Sequence, residues 1–324
     1  MKAFYKLRAA LRIGGINLSL FFAEDHFFGS SHASEYIYKI FKSASPDEYP
    51  VLIQEQYSLR FGIDFNIYEP RTFNEKLQWL KAFDSTPVKA VLADKYLARG
   101  WLEERIGTEY LVPLLGVWDR FDDIDFKKLP NQFALKCNHG SGWNLIVTDK
   151  SQLDLNDARS KFDLWMNLNY AFYSGELQYK DIPPKIIAEK YLDCSGGIKD
   201  YRFYCFNGEP LQVWVDRFSG TPNHVRSVFD VNWNKLNLKC TWPDGGDQLS
   251  DKPLFLEEML NLSKIISKDF YFVRVDFFEV QEKLYIGEIT FTPMTGAGVF
   301  EPPEWDKILG DYLKLPIKEI TTTF

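Results

Sequence analysis

Phe272-Val273-Arg274-Val275-Asp276-Phe277-Phe278-Glu279-Val280, followed closely by Leu284-Tyr285-Ile286-Gly287-Glu288-Ile289-Thr290, is the stretch on which the reading of this chain turns. Both runs are rich in β-branched and aromatic residues and together read as a β-hairpin. Side chains alternate faces along a strand, so Arg274 and Asp276 share one face while Val273, Val275 and Phe277 share the other. On the return strand Glu288 and Thr290 share a face. A turn centred on Glu282 sets Asp276 directly across from Glu288, and Arg274 across from Thr290. Two facing carboxylates repel and ordinarily weaken a sheet. A hard divalent cation between them removes the repulsion, and it takes oxygen ligands of this kind together with nucleotide phosphates. Arg274, one pleat along, offers a permanently charged fork for a phosphate or a developing oxyanion. The plainer reading is a solvated polar face on an amphipathic hairpin. Against it, Ile286 and Ile289 embed Glu288 in an apolar run, where an unpaired polar group costs ~2–7 kcal/mol and a charge more.

Upstream, Leu135-Lys136-Cys137-Asn138-His139-Gly140-Ser141-Gly142 ends an apolar strand with a lysine just before a Gly-rich turn. That puts a point charge beside backbone N–H groups able to approach phosphates. The spacing fits neither GxxxxGK[ST] nor GxGxxG, and an ordinary hairpin with an edge lysine explains it equally well. His139 forms no metal-ligand spacing with His26, His32 or His224. Ile186-Ile187-Ala188-Glu189-Lys190-Tyr191-Leu192 is a third apolar run, leading to Asp200-Tyr201-Arg202. A core strand with a charged end accounts for it; a hinge offering backbone groups to a base edge is the functional alternative.

The remaining pattern supplies the scaffold. Thr72-Phe73-Asn74-Glu75 is a capping box, with Phe73, Leu77 and Leu80 following at helical spacing. A second helix is expected from Thr86-Pro87 to Gly107, carrying Val88, Val91, Leu92 and Tyr96 on one face. Strands are expected at Phe133–Cys137, Asn144–Thr148 and Lys185–Leu192, and helices at 155–174 and 254–268. Asn207-Gly208 marks a tight hairpin between Asp200–Phe206 and Leu211–Val215. The result is an α+β protein with two strand-bearing lobes. We expect a helical region over 1–85, a first lobe over 86–188 and a second lobe with the metal site over 189–324.

Composition bounds what such a protein does. With 324 residues, 45% of them hydrophobic and 16% aromatic, the chain is folded and has ample core. A net charge of -7 gives no general reason to expect nucleic acid as a partner. The four cysteines, Cys137, Cys194, Cys205 and Cys240, show no CxxC pair and read as reduced thiols of a cytoplasmic protein. Lys2, Lys6, Arg8 and Arg12 precede a short apolar run over 13–23, well short of the roughly 20 residues that span a bilayer. It is read as a packed element or a peripheral contact with the inner membrane. Asp123-Ile124-Asp125 fits the DxD pattern by which glycosyltransferases hold a metal and a nucleotide sugar, although three acids in a polar loop are usually just solvated.

Taken in order, these pieces resemble the ATP-grasp superfamily, and most closely its TupA-like branch, associated with teichuronopeptide and other bacterial surface polysaccharides. The resemblance covers about residues 70 to 317. It rests on Thr72-Phe73-Asn74-Glu75-Lys76-Leu77-Gln78-Trp79-Leu80, Asp94-Lys95-Tyr96, Leu111-Val112-Pro113-Leu114-Leu115-Gly116-Val117-Trp118, and the four segments quoted above. It implies a nucleotide clamped between two α+β lobes, with Lys136 and Lys95 on the phosphates of ATP beside the loop of His139, Gly140, Ser141 and Gly142. It implies Glu189, Lys190, Tyr191 and Leu192 around adenine, Asp200 on the ribose, Asp276, Glu288 and Thr290 on Mg²⁺, and Arg274 as the catalytic cation. Many relatives carry Glu-x-Asn where this chain has Glu288-Ile289-Thr290, and a hydroxyl is a poorer ligand than an amide carbonyl. The resemblance therefore supports one Mg²⁺ more firmly than two. The activity implied is carboxylate–amine ligation through an acyl phosphate, joining a carboxylate-bearing sugar or glycan such as a uronic acid to an amino acid or other amine. A glycosyltransferase using Asp123 and Asp125, or a non-catalytic nucleotide-binding protein, are the alternatives.

Overall fold

The computed structural model describes Arg12, residues 31–193 and residues 197–317. Apart from Arg12, the basic and apolar N-terminal stretch lies outside the described residues, as does Cys194. Among the described residues, no helix is long and apolar enough to cross a membrane.

Two antiparallel sheets organise the chain. The first has four strands in the order β1-β4-β2-β3: β1 (Leu114–Trp118), β2 (Phe133–Cys137), β3 (Asn144–Val147) and β4 (Ile186–Lys190). Its strands are amphipathic with period two. Phe133, Leu135, Cys137, Ile186 and Ala188 turn to one face, which is buried beneath Ala158 and Phe162 of a helix at Leu155–Met166. Lys136 and Glu189 fall on the other face.

The second sheet has five strands in the order β10-β9-β5-β6-β7: β5 (Lys199–Phe206), β6 (Glu209–Arg217), β7 (Val225–Asp230), β9 (Phe272–Val280) and β10 (Lys283–Thr290). Between them lies β8 (Lys239–Cys240), which pairs with β11 (Phe300–Glu301). Tyr201, Phe203, Cys205, Val213, Val215, Val273, Val275 and Phe277 form one face, packed against Met259, Leu262 and Ile266 of the helix at Leu256–Ser267. The opposite face carries Asp200, Arg202, Asp216, Arg226, Arg274 and Asp276. The crossing between sheets runs from Lys190 to Lys199, so the division expected at 188/189 falls inside β4.

In chain order the helices are α1 (Ser31–Ser43), α2 (Tyr49–Phe61), α3 (Phe73–Phe83), α4 (Pro87–Ala93), α5 (Leu97–Ile106), α6 (Leu155–Met166), α7 (Ala171–Ser174), α8 (Leu256–Ser267) and α9 (Glu304–Tyr312). The Thr72 capping box starts α3, with both of its reciprocal hydrogen bonds formed. Phe73, Leu77 and Leu80 pack from α3 into the second sheet's core with Tyr204, Trp214 and Phe272. Truncating a fully buried leucine such as Leu77 costs about 2–5 kcal/mol. Lys76 donates to the carbonyls of Gly310 and Leu313, both at 2.8 Å, and so satisfies orphan acceptors at the end of α9. Gly310 is required by that crossing, because a Cβ there would stand 2.8 Å from the backbone of Arg71, Thr72 and Phe73.

Two expected helices are each broken, for local reasons. The one over 86–107 stops at Ala93 and restarts at Leu97. Asp94 takes an extended conformation, and its Oδ1 accepts from the N–H groups of Tyr96 and Leu97, capping α5. The one over 155–174 ends at Met166. Asn169 then accepts from Ala171 N–H and donates to Lys180 O, starting the short α7.

Candidate active site

The final hairpin brings the predicted residues together by an unexpected route. Its turn is Gln281-Glu282, both with positive φ, a two-residue loop and not one centred on Glu282. That register alone would set Glu288 opposite Val275. A bulge at Gly287 absorbs one residue: Ile286 opposes Phe277, yet Glu288 opposes Asp276 and Thr290 opposes Arg274. Gly287 suits the bulge because a Cβ there would meet the Phe278 ring at 2.6 Å. The carboxylates face each other as expected, and the tight turn and the bulge compensate.

Arg274 lies between those carboxylates. Its Nε and Nη2 donate to the two oxygens of Asp276 at 2.7 and 2.5 Å, and Nη2 stands 3.5 Å from Glu288. Such a two-pronged charge-assisted pair fixes both side chains. From Asp276 the charges continue across the sheet. Arg202 lies 3.9 Å from Asp276, donates to Asp200 at 2.6 and 3.0 Å, and pairs with Asp216 at 2.8 Å. Arg226 closes the line with a two-pronged pair on Asp216. Asp200, which the resemblance places on the ribose, pairs with Arg202 in this structure, since residues two apart on a strand share a face.

Protonation follows from this packing. Burial alone would raise Glu288, but Lys95, Arg274 and Arg202 outweigh it and hold the carboxyl below its ordinary value. For Asp276 burial wins, raising it despite Arg274 and Arg202. His139 is pushed down by burial and stays neutral, its ring nitrogens 3.1 Å from Asn138 Oδ1 and 3.2 Å from Trp165 O. Its ring also meets the Trp143 ring edge-on at 5.1 Å.

A cleft runs between β10, β2, β4 and the α4–α5 break. Lys95, Arg99, Lys136, Glu189 and Glu288 all line it among apolar side chains such as Leu102, Val112 and Ile289. The Asp94 cap turns Lys95 into the cleft, where it donates to Gly140 O at 2.5 Å and lies 3.4 Å from Glu288. Lys136 pairs with Glu189 at 2.6 Å. Arg99, not anticipated from the sequence, also pairs with Glu189 at 3.0 Å and donates to Val112 O at 2.7 Å. Its signal was available: it stands four residues after Lys95, one helical turn on. Gly140 is buried and Ser141 and Gly142 are exposed. Lys190 is exposed at the end of β4 and its N–H donates to Pro113 O; Lys190, Tyr191 and Leu192 are not part of the cleft wall described above.

The donor set suits a hard cation. Two carboxylates face each other, Glu288 keeps 30% of its side chain exposed, and Thr290 Oγ1 is buried with no partner. An unsatisfied buried hydroxyl costs about 1–3 kcal/mol, and it and the carboxylates are oxygen donors of the kind Mg²⁺ takes. By contrast Asp123 and Asp125 lie in an exposed turn and pair locally with Arg120 at 2.9 Å and Lys128 at 3.5 Å. Among the described residues no group of three His, Cys, Asp or Glu side chains is placed to hold a metal. Any metal site here is therefore completed by ligand oxygens or by Thr290. Cys137, Cys205 and Cys240 are free and buried.

Comparison with curated proteins gives no match. Among solved structures, D-alanine–D-alanine ligase from Bacillus anthracis complexed with ATP is similar at 15% identity and a TM-score of 0.42, over 69% of this chain and 65% of that one. An L-amino acid ligase from Bacillus licheniformis is similar at 12% identity and a TM-score of 0.41, over 87% of this chain and 61% of that one. The chain thus spans just under two thirds of the length of these ligases. The family model for TupA-like ATPgrasp proteins matches residues 75–314, three quarters of the sequence and every element that lines the cleft. By that match the chain belongs to the TupA-like ATP-grasp family, and its two antiparallel sheets with flanking helices are an α+β ATP-grasp fold.

Proposed function

We propose that the protein is an ATP-dependent, ADP-forming ligase that joins a carboxylate to an amine through an acyl phosphate. The observation that carries this reading is the convergence of Lys95, Lys136, Arg99 and Glu288 on one cleft, with Arg274 and Asp276 beside Glu288. In this reading Lys95 and Lys136 hold the phosphates of ATP, giving up their present contacts with Gly140 O and Glu189 as the nucleotide enters. The Gly-rich loop folds over the same phosphates, and the strand end around Glu189 to Leu192 borders the base. Glu288 and Asp276, with Thr290 beside them, would hold Mg²⁺, which neutralises phosphate charge when bound. Arg274 is placed to stabilise the negative charge that develops as the γ-phosphoryl passes to a substrate carboxylate. An amine then attacks the acyl carbon and phosphate leaves. The protein's part is positioning and charge compensation, the terms that dominate phosphoryl transfer. The substrate pair favoured is a uronic acid or similar sugar carboxylate of a surface polysaccharide and an amino acid. Because the resemblance to that family includes surface-polysaccharide clusters, a cytoplasmic protein working near the inner membrane is part of the same proposal.

The test is ADP release screened across pairs of uronic acids and amino acids. Turnover should need both partners and Mg²⁺, and should collapse in Glu288→Gln. Robust turnover in that variant would overturn the reading. No observation favours a nucleotide-sugar transferase, since Asp123 and Asp125 are exposed and locally paired.

A further inference from the structure

The chain leaves β10 through a strained turn. Met294, Thr295 and Gly296 all lie in the left-handed region, with φ of 54, 54 and 66°. Only the last is glycine. Non-glycine residues are disfavoured there, and the β-branched Thr295 is among the least tolerant. Such a conformation persists only where its surroundings over-determine it.

The surroundings are one face of α3. Asn74, Gln78 and Lys81, spaced at i, i+4 and i+7, are polar yet only 2, 2 and 3% exposed. Gln78 Nε2 donates to Gly296 O at 2.6 Å and to Thr295 O at 3.4 Å. Asn74 pairs with the Gly298 backbone in both directions, donating to its carbonyl at 2.8 Å and accepting from its N–H at 3.0 Å. Asp306 of α9 orients Asn74. Lys81 extends the line, donating to Gln78 Oε1 at 3.1 Å and to Ser174 O at 2.8 Å. Two residues on, Glu176 accepts from Thr292 Oγ1, and Gln178 Nε2 stands 3.4 Å from both. The chain from Thr292 to Gly298 is thus held at both ends, starting two residues after Thr290 and four after Glu288.

We propose that Asn74, Gln78 and Lys81 are positioning residues for the metal-bearing end of β10: they hold the left-handed turn in place and so fix where Glu288 and Thr290 stand relative to Asp276. This rests on the ligase reading, in which those residues hold Mg²⁺. It also gives a function to the polar members of the 72–80 motif, which the capping box and the apolar stripe leave unexplained.

The test uses the full chain and reads the Mg²⁺ affinity of each variant by titration calorimetry with a non-hydrolysable ATP analogue present. Beside it is read the Mg²⁺ concentration giving half-maximal ADP release at saturating ATP, wherever turnover remains. Gln78→Met keeps the volume and removes the clamp. The half-saturating Mg²⁺ concentration should rise roughly 10-fold or more, as for loss of other groups that orient metal ligands, with a smaller fall in kcat. Adding Thr295→Gly should restore it, because glycine adopts the left-handed conformation without the clamp. A role in stability alone would leave the Mg²⁺ dependence unmoved. An unchanged Mg²⁺ dependence in Gln78→Met, alongside a large shift in Glu288→Gln, would overturn the positioning role and leave the ligase reading standing. An unchanged dependence in Glu288→Gln would overturn both. If Gln78→Met does not fold, Gln78→Asn, whose shorter amide cannot span both carbonyls, takes its place under the same outcomes.

Discussion

The four-stranded sheet reaches the cleft with Lys136 and Glu189, side chains whose charges meet through a single hydrogen bond, with Arg99 as a second partner of Glu189. The five-stranded sheet reaches it with Glu288, backed by Arg274, Asp276, Arg202, Asp200, Asp216 and Arg226 in a line of charge pairs across the sheet, two of them two-pronged. The first arrangement is loose: a lysine is a point charge on a flexible stem and can exchange one anion for another. The second is locked, since guanidinium forks leave their carboxylates no second geometry. A nucleotide that comes and goes matches the loose side, and a reacting centre that must not rearrange matches the locked one.

That contrast can be broken most visibly at Arg274. Arg274→Ala strips Asp276 of its partner inside the sheet. We expect a 10²- to 10³-fold fall in ADP release, about what a lost charge-stabilising donor costs. The same change should lower unfolding stability by about 3–5 kcal/mol in chemical denaturation, the usual result of orphaning a buried charge. Asp216 tests the locked side at its far end, away from the cleft. Burial alone would raise its carboxyl, yet Arg226, His224 and Arg202 hold it well below the ordinary range. Its stabilisation is therefore full above the unfolded value near pH 4 and lost as pH falls below it. Asp216→Asn should lower stability at pH 7 and flatten the decline between about pH 4 and pH 2, as followed by urea unfolding at stepped pH. An unchanged acid slope would mean the line of charges is not locked. On the loose side, Lys136→Ala should weaken ATP binding roughly 10- to 100-fold by calorimetry, the worth of one charge-assisted hydrogen bond. Its cost in stability should stay under about 1 kcal/mol. The smallest effect belongs outside both sheets: Asp123→Ala with Asp125→Ala should leave the melting temperature and ADP release unchanged.

How much of this was legible in the sequence depended on whether a feature lies along the chain or across it. Strands at 133–137 and 272–280, the Asn207-Gly208 turn and the Thr72 cap are local and stand where expected. The facing of Asp276 and Glu288 was legible too, though through two departures that offset each other. The break at Asp94 was hidden because Asp is tolerated within a helix, and only its side-chain cap on Tyr96 and Leu97 turns Lys95 inward. The line from Glu288 to Arg226 could not be read, because each strand contributes only one or two of its members and their pairing is set by sheet order. Nothing in the sequence marks Asn74 and Gln78 as buried, because burying them takes a partner more than two hundred residues away.

The bulge at Gly287 has a consequence for variation in this family. Metal geometry depends here on the bulge absorbing that extra residue. Flattening the bulge with Gly287 kept in the strand would set Glu288 opposite Val275 and turn it to the apolar face, since a one-residue slip exchanges the faces of a strand. Removing Gly287 would instead let Glu288 follow Ile286 directly, and a regular ladder from the Gln281-Glu282 turn would keep Glu288 opposite Asp276 and Thr290 opposite Arg274. The glycine is thus a spare residue that the strand folds out of its ladder, and a related chain without it should run straight through this position with the same carboxylates facing each other.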